Sequence, residues 1–384
     1  MKTFCFKLYR CDHNTILMRQ INFAGLLYNH CIALHKRYYR LFGKYINANL
    51  MKKHLTKLKR TERFAYIRKL GSQAVQDIAE RIDRAYNLFW ANLKRKVKTS
   101  PPNFKRVRNY KSFTLKQAGW KLDEKRGMIR LGKKWYHYFK SRNVEGRIKT
   151  VTIKRDSLGD IYVYIVSDVS AQEIIGRTGK SVGYDFGLKK FLTASDGNDI
   201  VSPLFFARSA KIIKSKNQKL SRKQENSHNR RKARLELARA YRKINNQRKD
   251  FHFKTARKIC EEYAVICLED LNLKGMQKLY GRKISDLGFY SFVQILKYEA
   301  TKFGTQIVFI DRWNPSSQTC SKCGYKNPEL KDLRIREWDC PKCKTHHDRD
   351  RNAAINIHRV GTSTLRGDEV RPDTGFCGQT GVCC

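Results

Sequence analysis

The chain has 384 residues, a mass of 45.1 kDa and a formal net charge of +47, which comes from 81 Lys and Arg against 34 Asp and Glu. Because 41% of the residues are hydrophobic, this is a folded polycation of two or three packed units and not a disordered basic tail. The charge favours a nucleic acid over an acidic membrane surface, since no apolar run approaches the roughly 20 residues that span a bilayer.

Residues 16 to about 98 are predicted to be helical, because apolar side chains recur at alternating intervals of four and three. The recurring positions are Leu27, Cys31, Leu34, Tyr38, Leu41 and Tyr45 in one run, and Ile78, Ile82, Ala85 and Phe89 in another. Their other faces are rich in Lys and Arg. Two packed helices with solvated basic faces would give this pattern, but the total charge favours a nucleic-acid-binding face.

Period-two patterns follow Pro101-Pro102 and predict a small β-barrel or sheet. Val151 and Ile153 are expected to face Ile161, Val163 and Ile165 across a turn at residues 157–159. Aromatic side chains lie among the basic residues of this region, and we expect most of them to pack in its core, although some could stack on nucleotides.

From Ser181 onwards, short buried strands alternate with long helices, which predicts an α/β sheet with crossover connections. The expected strands are SVGYD, KKFLTAS, AVICLED and QIVFID. The segment from Arg208 to Lys249 contains only two acids and is predicted to be one long basic helix along a phosphate backbone, with a solvent-facing strut as the alternative. Residues 361–384 are Gly-rich and aperiodic, so we expect disorder there.

Twelve cysteines and a beginning of the chain without an apolar signal segment indicate reduced thiols, so we expect a cytoplasmic location. Four of the cysteines have the C-x2-C…C-x2-C spacing that suits tetrahedral Zn²⁺: Cys320, Cys323, Cys340 and Cys343. Because four thiolates leave no open coordination position, such a zinc ion is structural. Unligated cysteines and an iron–sulfur site are the alternatives.

Three carboxylates stand where a strand ends or a helix begins. Asp185 closes the strand of GYDFGLKKF, Glu269 closes AVICLED, and Asp350 opens the helix DRNAAINIHR, with Asp348 as a weaker candidate. Each has an ordinary alternative: a turn residue, a charge at a loop entry, or an acid favoured by the helix dipole. Converging carboxylates need cations between them, and oxygen ligands favour Mg²⁺ or Mn²⁺. Two such ions would support hydrolytic cleavage of a phosphodiester strand.

The motifs GYDFGLKKF, ICLEDLN, SSQTCSKCG and HDRDRNAAINI, in this order, resemble the TnpB family of transposon-encoded RNA-guided nucleases, relatives of miniature type V CRISPR effectors. Two further segments resemble parts of the family: residues 221–251 its basic helical insert, and PPNFK with SFTL its wedge region. The resemblance covers most of the chain.

The fold class that the resemblance implies is multidomain α/β: an RNase H-like RuvC nuclease domain with a zinc-ribbon insert, and an N-terminal β-barrel wedge region with a helical insertion. The implied boundaries are 1–15 and 99–178 for the wedge barrel, 16–98 for a helical recognition insert, 179–314 and 348–360 for the RuvC domain, about 205–258 for its basic insert, 315–347 for the zinc ribbon, which binds the target nucleic acid, and 361–384 for a disordered tail.

The resemblance also implies the activity and the partners. It makes Asp185, Glu269 and Asp350 the Mg²⁺ or Mn²⁺ ligands, and Arg336 a residue that positions the cut strand. A guide RNA from the transposon right end would direct cleavage of double-stranded DNA next to a short transposon-adjacent motif. A nuclease-inactive RNA-guided regulator and an RNA-independent transposase are the alternatives. Lys344 departs from the family pattern, in which glycine usually follows the last cysteine.

Overall fold

The computed structural model describes residues 1–169, 179–271, 281, 286–332 and 334–366. The chain forms two compact units, which divide between residues 171 and 172. Within the described residues, no helix combines the length and the apolar character needed to cross a lipid bilayer.

Unit 1 contains two antiparallel sheets. Their strands are β1 (Lys2–Lys7), β2 (Ser112–Leu115), β3 (Trp120–Asp123), β4 (Met128–Leu131), β5 (Lys134–His137), β6 (Arg147–Arg155) and β7 (Ile161–Asp168). One sheet has the order β1-β7-β6-β2 and the other β3-β4-β5. The predicted hairpin is confirmed, because Val151 pairs with Ile165 and Ile153 with Val163. A single bridge between Leu8 and Tyr138 joins the sheets in the described part of the chain. Closure into a barrel stays a prediction.

Three α-helices, not two, lie between the first and second strands of unit 1. They are α1 (Asn14–Phe42), α2 (Ala48–Leu58) and α3 (Ser72–Lys94), with 3-10 helices at Glu62–Leu70 and Val107–Asn109. The run predicted from Leu27 to Tyr45 is broken because Gly43 takes the left-handed conformation that ends α1, and the side chain of Asn47 then caps α2. Leu27 and Cys31 are buried as expected, but Leu41 is exposed at the end of α1.

Unit 2 is built on one mixed sheet, and the four strands predicted for it are present. The strands are β8 (Ser181–Phe186), β9 (Lys190–Ala194), β10 (Ile200–Val201), β11 (Val265–Glu269) and β12 (Gln306–Ile310). Their order is β10-β9-β8-β11-β12. Strand β11 runs parallel to both β8 and β12. The carboxyl ends of β8 and β11 therefore meet at one edge of the sheet.

The described residues of unit 2 also form four α-helices of four or more turns: α4 (Phe205–Ser221), α5 (His228–Glu262), α6 (Phe289–Phe303) and α7 (Arg349–Arg366). The prediction of one long basic helix is wrong, because the segment is two packed helices, α4 and α5. Asn226 has a positive φ of 62°, and the Ser227 side chain accepts a hydrogen bond from the Arg230 N–H, so the chain turns and begins a new helix. Helix α5 continues through the boundary expected near residue 258.

Helix α7 packs on the sheet through two glycines. A methyl group at Gly183 of β8 would come within 2.4 Å of the Ala354 carbonyl oxygen, and one at Gly361 would come within 2.4 Å of the Cys267 Sγ. Gly361 thus serves helix–sheet packing and does not mark a disordered tail. The prediction of disorder is wrong for residues 361–366, and residues 367–384 lie outside the described residues.

Between β12 and α7 the chain forms a small ribbon. It contains a 3-10 helix (Pro328–Lys331) and the antiparallel pair β13 (Glu337–Asp339) and β14 (His346–Asp348). Its core consists of Cys320, Leu330, Trp338 and Cys340. Because β14 leads directly into α7, the ribbon fixes where that helix begins.

Candidate functional site

Asp185 and Glu269 occupy neighbouring positions at the carboxyl edge of the sheet. In the parallel pairing of β11 with β8, Leu268 lies opposite Tyr184, so the next residue of each strand is one of the two acids. Burial raises the pKa of Asp185 to about 8, and repulsion from Asp350 and Glu269 adds to the shift. Burial, followed by repulsion from Asp270, raises the pKa of Glu269 to about 7. Burial, together with repulsion from neighbouring acids, therefore disfavours the charged forms of Asp185 and Glu269 at this edge.

Asp350 lies in the first turn of α7, and electrostatic repulsion from its carboxylate raises the pKa of Asp185. Asp348 has a different contact, because its Oδ1 accepts a hydrogen bond from the Arg351 N–H at 2.8 Å. This is the contact of a helix N-cap. The geometry thus brings Asp350 together with the other two acids and uses the Asp348 carboxylate to begin the helix.

The three carboxylates are a looser group than the cysteines. Within the described ranges, the cysteines alone bring three or more possible ligand atoms within 4.8 Å of one another. To share one ion the acids would have to move closer together, whereas two ions roughly 3.5 to 4 Å apart, as in paired-metal sites, would fit a looser group. Their oxygen donors suit hard divalent cations.

Arg336, to which the resemblance gives a role in positioning the cut strand, lies beside Asp350. Its Nη1 is 3.2 Å from the Asp350 Oδ1, and its carbonyl oxygen accepts a hydrogen bond from the Arg349 N–H at 2.8 Å. The side chain is largely exposed, so it can exchange this carboxylate for a phosphate oxygen.

Three neighbours of the acids were missed in the sequence. The Arg349 guanidinium is held by the Asp332 carbonyl at 2.7 Å and opposes the pKa rise of Asp185. Lys190 pairs with Asp199 at 2.7 Å and lies in the field of Asp348 and Asp350. Thr193 is the cross-strand partner of Asp185, and its buried hydroxyl has no hydrogen-bond partner among the described residues. Only strand register, which sequence alone does not give, identifies Thr193.

The four predicted cysteines form one cluster that could hold a metal ion. Cys323 Sγ is 3.5 Å from Cys340 Sγ, and Cys320 Sγ is 3.7 Å from Cys343 Sγ. Four sulfurs around one Zn²⁺ with bonds of about 2.3 Å lie about 3.8 Å apart, so the cluster has the size of a tetrahedral zinc site. The His347 Nε2 lies 3.1 Å from Cys320 Sγ and can orient that ligand.

The two knuckles have the same backbone geometry. Gly324 N–H donates to the Cys320 carbonyl at 2.9 Å, and Lys344 N–H donates to the Cys340 carbonyl at 2.8 Å. Gly324 has a φ of 73° and Lys344 a φ of 54°. The departure from glycine at Lys344 therefore leaves the turn intact, at the cost of a left-handed conformation for a residue with a side chain.

Two buried asparagines of α7 join the first knuckle to the helix that carries Asp350. Asn352 accepts from the Ser321 N–H and donates to the Thr319 carbonyl, both at 2.8 Å. Asn356 donates to the carbonyls of Ser316 and Thr319 at 2.8 and 2.7 Å. The ribbon and the start of α7 consequently form one hydrogen-bonded body.

Comparison with known proteins identifies the family. The family model described as "Cas12f1-like, TNB domain" matches residues 289–357, and the one described as "Probable transposase" matches residues 164–279. A Streptomyces pristinaespiralis protein, named as a candidate RNA-guided DNA endonuclease, is 30% identical over 97% of this chain and 92% of its own length. An Escherichia coli K12 protein with the same description, InsQ, is 26% identical over 96% and 94% of the two chains.

Two further similarities were found. TnpB-like protein L79 of Acanthamoeba polyphaga mimivirus is 30% identical over 56% of this chain and 43% of its own. The cryo-EM structure of a Cas12f1–sgRNA–target DNA complex aligns with a TM-score of 0.36 and 17% identity, over 93% of this chain and 98% of that one. The extent of the Streptomyces match decides the assignment, and the chain belongs to the TnpB family.

Proposed function

We propose that this protein is an RNA-guided DNA endonuclease in which unit 2 is the RNase H-like nuclease domain. The observation that carries the proposal is the meeting of Asp185, Glu269 and Asp350 at one edge of a mixed sheet, with Arg336 beside them. Relatives that match nearly the whole chain are named for RNA-guided cleavage of DNA, which supports the same activity here.

The three acids would hold Mg²⁺ or Mn²⁺, and the four cysteines would hold Zn²⁺. The raised pKa values of Asp185 and Glu269 fit a site in which divalent cations supply the missing positive charge. A pair of such ions, when bound, would activate water and stabilise the leaving oxygen of a phosphodiester. Asp185 and Glu269 are fixed by the strand register, Asp350 by the ribbon, and Arg336 would bind a non-bridging phosphate oxygen.

The basic helices α4 and α5 offer a surface for the nucleic acid. Exposed cations line both helices: Arg208, Lys211, Lys214, Lys219, Arg231, Lys232, Arg234, Arg239, Lys243 and Lys249. Since base pairing with a guide supplies sequence recognition, the protein needs only charge and shape to hold an RNA–DNA duplex. We therefore assign a guide RNA from the transposon right end and double-stranded target DNA as partners.

Purification of the chain from cells that also transcribe the flanking transposon end tests this proposal. We expect one abundant RNA to co-purify, and the complex to cut a plasmid that carries the matching sequence next to the correct adjacent motif when Mg²⁺ is present. Asp185→Asn should leave the RNA bound and abolish cutting. A plasmid that stays intact with every guide and adjacent motif tested would contradict the proposal.

The same assay separates the two alternatives. A nuclease-inactive regulator would bind the matching DNA without cutting it, and Asp185→Asn would change nothing. A transposase that needs no RNA would join or cut strands equally well after the RNA is removed. The three acids at one edge favour the nuclease over the inactive regulator.

A further inference from the structure

Trp313 is an aromatic side chain that packs neither in the hydrophobic core of unit 2 nor in the core of the ribbon. Its side chain is 84% exposed, and among the large apolar residues of the described chain only Met1 is more exposed. Full exposure of an indole forgoes a large gain from burial. An indole so exposed is free to pack against a partner outside the chain.

The turn that carries Trp313 is well held. The Trp313 N–H donates to the Asp311 Oδ1 at 2.9 Å, and the Asn314 N–H donates to the Asp311 carbonyl at 3.1 Å. The neighbouring Arg312 forms an ion pair with Asp270. The ring is thus exposed to solvent on a turn that is held by hydrogen bonds.

The turn also stands at the edge that carries the acids. Glu269 of β11 pairs with Ile310 of β12, and the Asp270 N–H donates to the Ile310 carbonyl at 3.1 Å. The chain passes from Ile310 through Trp313 and then enters the ribbon, where Thr319 N–H donates to the Pro315 carbonyl. Trp313 consequently lies in the connection between the edge that bears Glu269 and the first zinc knuckle.

We propose that Trp313 stacks on an unpaired base of the DNA strand that enters the acid site, an inference that rests on the proposed nuclease function. Every base has a π-face, so a single exposed indole binds single-stranded DNA without sequence preference. This suits an enzyme whose sequence selectivity comes from the guide. A protein partner is disfavoured because docking surfaces are apolar patches of several hundred Å², and Trp313 is flanked by the ion-paired Arg312 and by Asn314.

Two substitutions at Trp313 separate stacking from simple apolar contact. Trp313→Phe keeps an aromatic face, whereas Trp313→Leu keeps apolar bulk without one. Because the ring is exposed, both variants should unfold at the wild-type temperature. Loss of a base–aromatic stack costs about 1–3 kcal/mol, or about 5- to 150-fold. We expect the Leu variant to cut RNA-matched DNA about tenfold or more slowly, and the Phe variant to keep most of the activity.

A fluorescence experiment reads the contact directly. The RNA-loaded protein carrying Asp185→Asn is bound to matched DNA with 2-aminopurine at successive positions around the cut. We expect quenching at one or two adjacent positions with Trp or Phe at 313, and its loss with Leu. Equal cutting and equal fluorescence for all three side chains would overturn the stacking proposal, and so would equal losses for Phe and Leu. Failure of wild-type protein to cut any matched DNA would instead refute the nuclease function.

Discussion

The Arg336 guanidinium lies 3.2 Å from the Asp350 carboxylate, and the two side chains belong to different parts of unit 2. Arg336 precedes β13 of the ribbon, whereas Asp350 lies in the first turn of α7. The ion pair therefore forms only when the ribbon and the start of α7 lie in this relative position. If a divalent cation takes the Asp350 carboxylate, Arg336 becomes available for the phosphate of the substrate.

The different contacts of Asp348 and Asp350 predict that substitution of Asp350 abolishes cutting, whereas substitution of Asp348 lowers stability. Asp350→Ala should abolish cutting with little change in stability, because its carboxylate makes no helix cap. Asp348→Ala should lower the free energy of unfolding by about 1 kcal/mol through loss of the N-cap, and Asp348→Ser should restore it. Cutting rates and thermal unfolding of the three variants check this. Loss of cutting in Asp348→Ser would make Asp348 the metal ligand instead.

The raised pKa of Asp185 predicts how stability depends on pH in metal-free protein. The folded state holds the proton up to about pH 8, whereas the unfolded state releases it near the ordinary value of 3.8. Stability from this group is therefore present at low pH and lost as the pH rises between these values. Asp185→Asn removes this contribution, whereas the contribution of Glu269, whose pKa is raised to about 7, remains.

We expect metal-free Asp185→Asn to unfold at a higher temperature than wild type at about pH 8, and at a similar temperature at about pH 4, below most of this window. Mg²⁺ should raise the unfolding temperature of wild type and leave that of the variant nearly unchanged. Thermal unfolding across this pH range, with and without Mg²⁺, measures both effects. Equal unfolding temperatures of wild type and Asp185→Asn at alkaline pH would show that the charged form of Asp185 is not destabilised by its surroundings.

The positive φ of Lys344 predicts that glycine stabilises the ribbon. Lys344→Gly should raise its stability by about 1 kcal/mol, since a left-handed residue with a side chain costs roughly that much. Gly324→Lys at the equivalent position of the other knuckle is the matched control and should lose a similar amount. Both changes in stability can be measured from the denaturant concentration at which the ribbon unfolds and releases its zinc to a chelator. A destabilised Lys344→Gly would mean that the lysine side chain has a role of its own.

The contacts of Asn352 predict that the ribbon positions Asp350. Asn352→Ala leaves the Ser321 N–H without its partner and removes one of the two asparagine amides that donate to the Thr319 carbonyl, and we expect it to slow cutting about 10- to 100-fold while one zinc stays bound. Asn327→Ala is the matched control, because Asn327 is also buried but caps a 3-10 helix within the ribbon. Equal cutting rates for the two variants would remove the positioning role of Asn352.

Periodicity and ligand spacing predicted the parts of the fold that local sequence determines. The four strands of unit 2 and the cysteine cluster belong to this class, because alternation of buried residues and pairs of CxxC are local signals. The break between α4 and α5 was missed although Asn226 and Ser227 are a turn residue and a helix cap. The high positive charge along the whole segment suggested one continuous helix, and the two-residue turn-and-cap signal was overlooked.

Other features depend on contacts that are distant in sequence. The sequence favoured Asp350 over Asp348 without a contact that separates them, and the separating contact is the hydrogen bond from the Arg351 N–H to the Asp348 carboxylate. The use of Gly361 for packing on Cys267 likewise appears only when helix and strand are placed together. Gly-rich composition by itself suggested disorder at that position.

Redirection of cleavage by a new guide tests RNA-guided cutting most directly. The guide segment of the co-purified RNA is replaced by a new sequence, and the cut site on a plasmid carrying both old and new targets is mapped. We expect cutting to move to the new target, to require Mg²⁺ and to disappear in Asp185→Asn. Cutting that stays at the old target, or that proceeds without RNA, would contradict it.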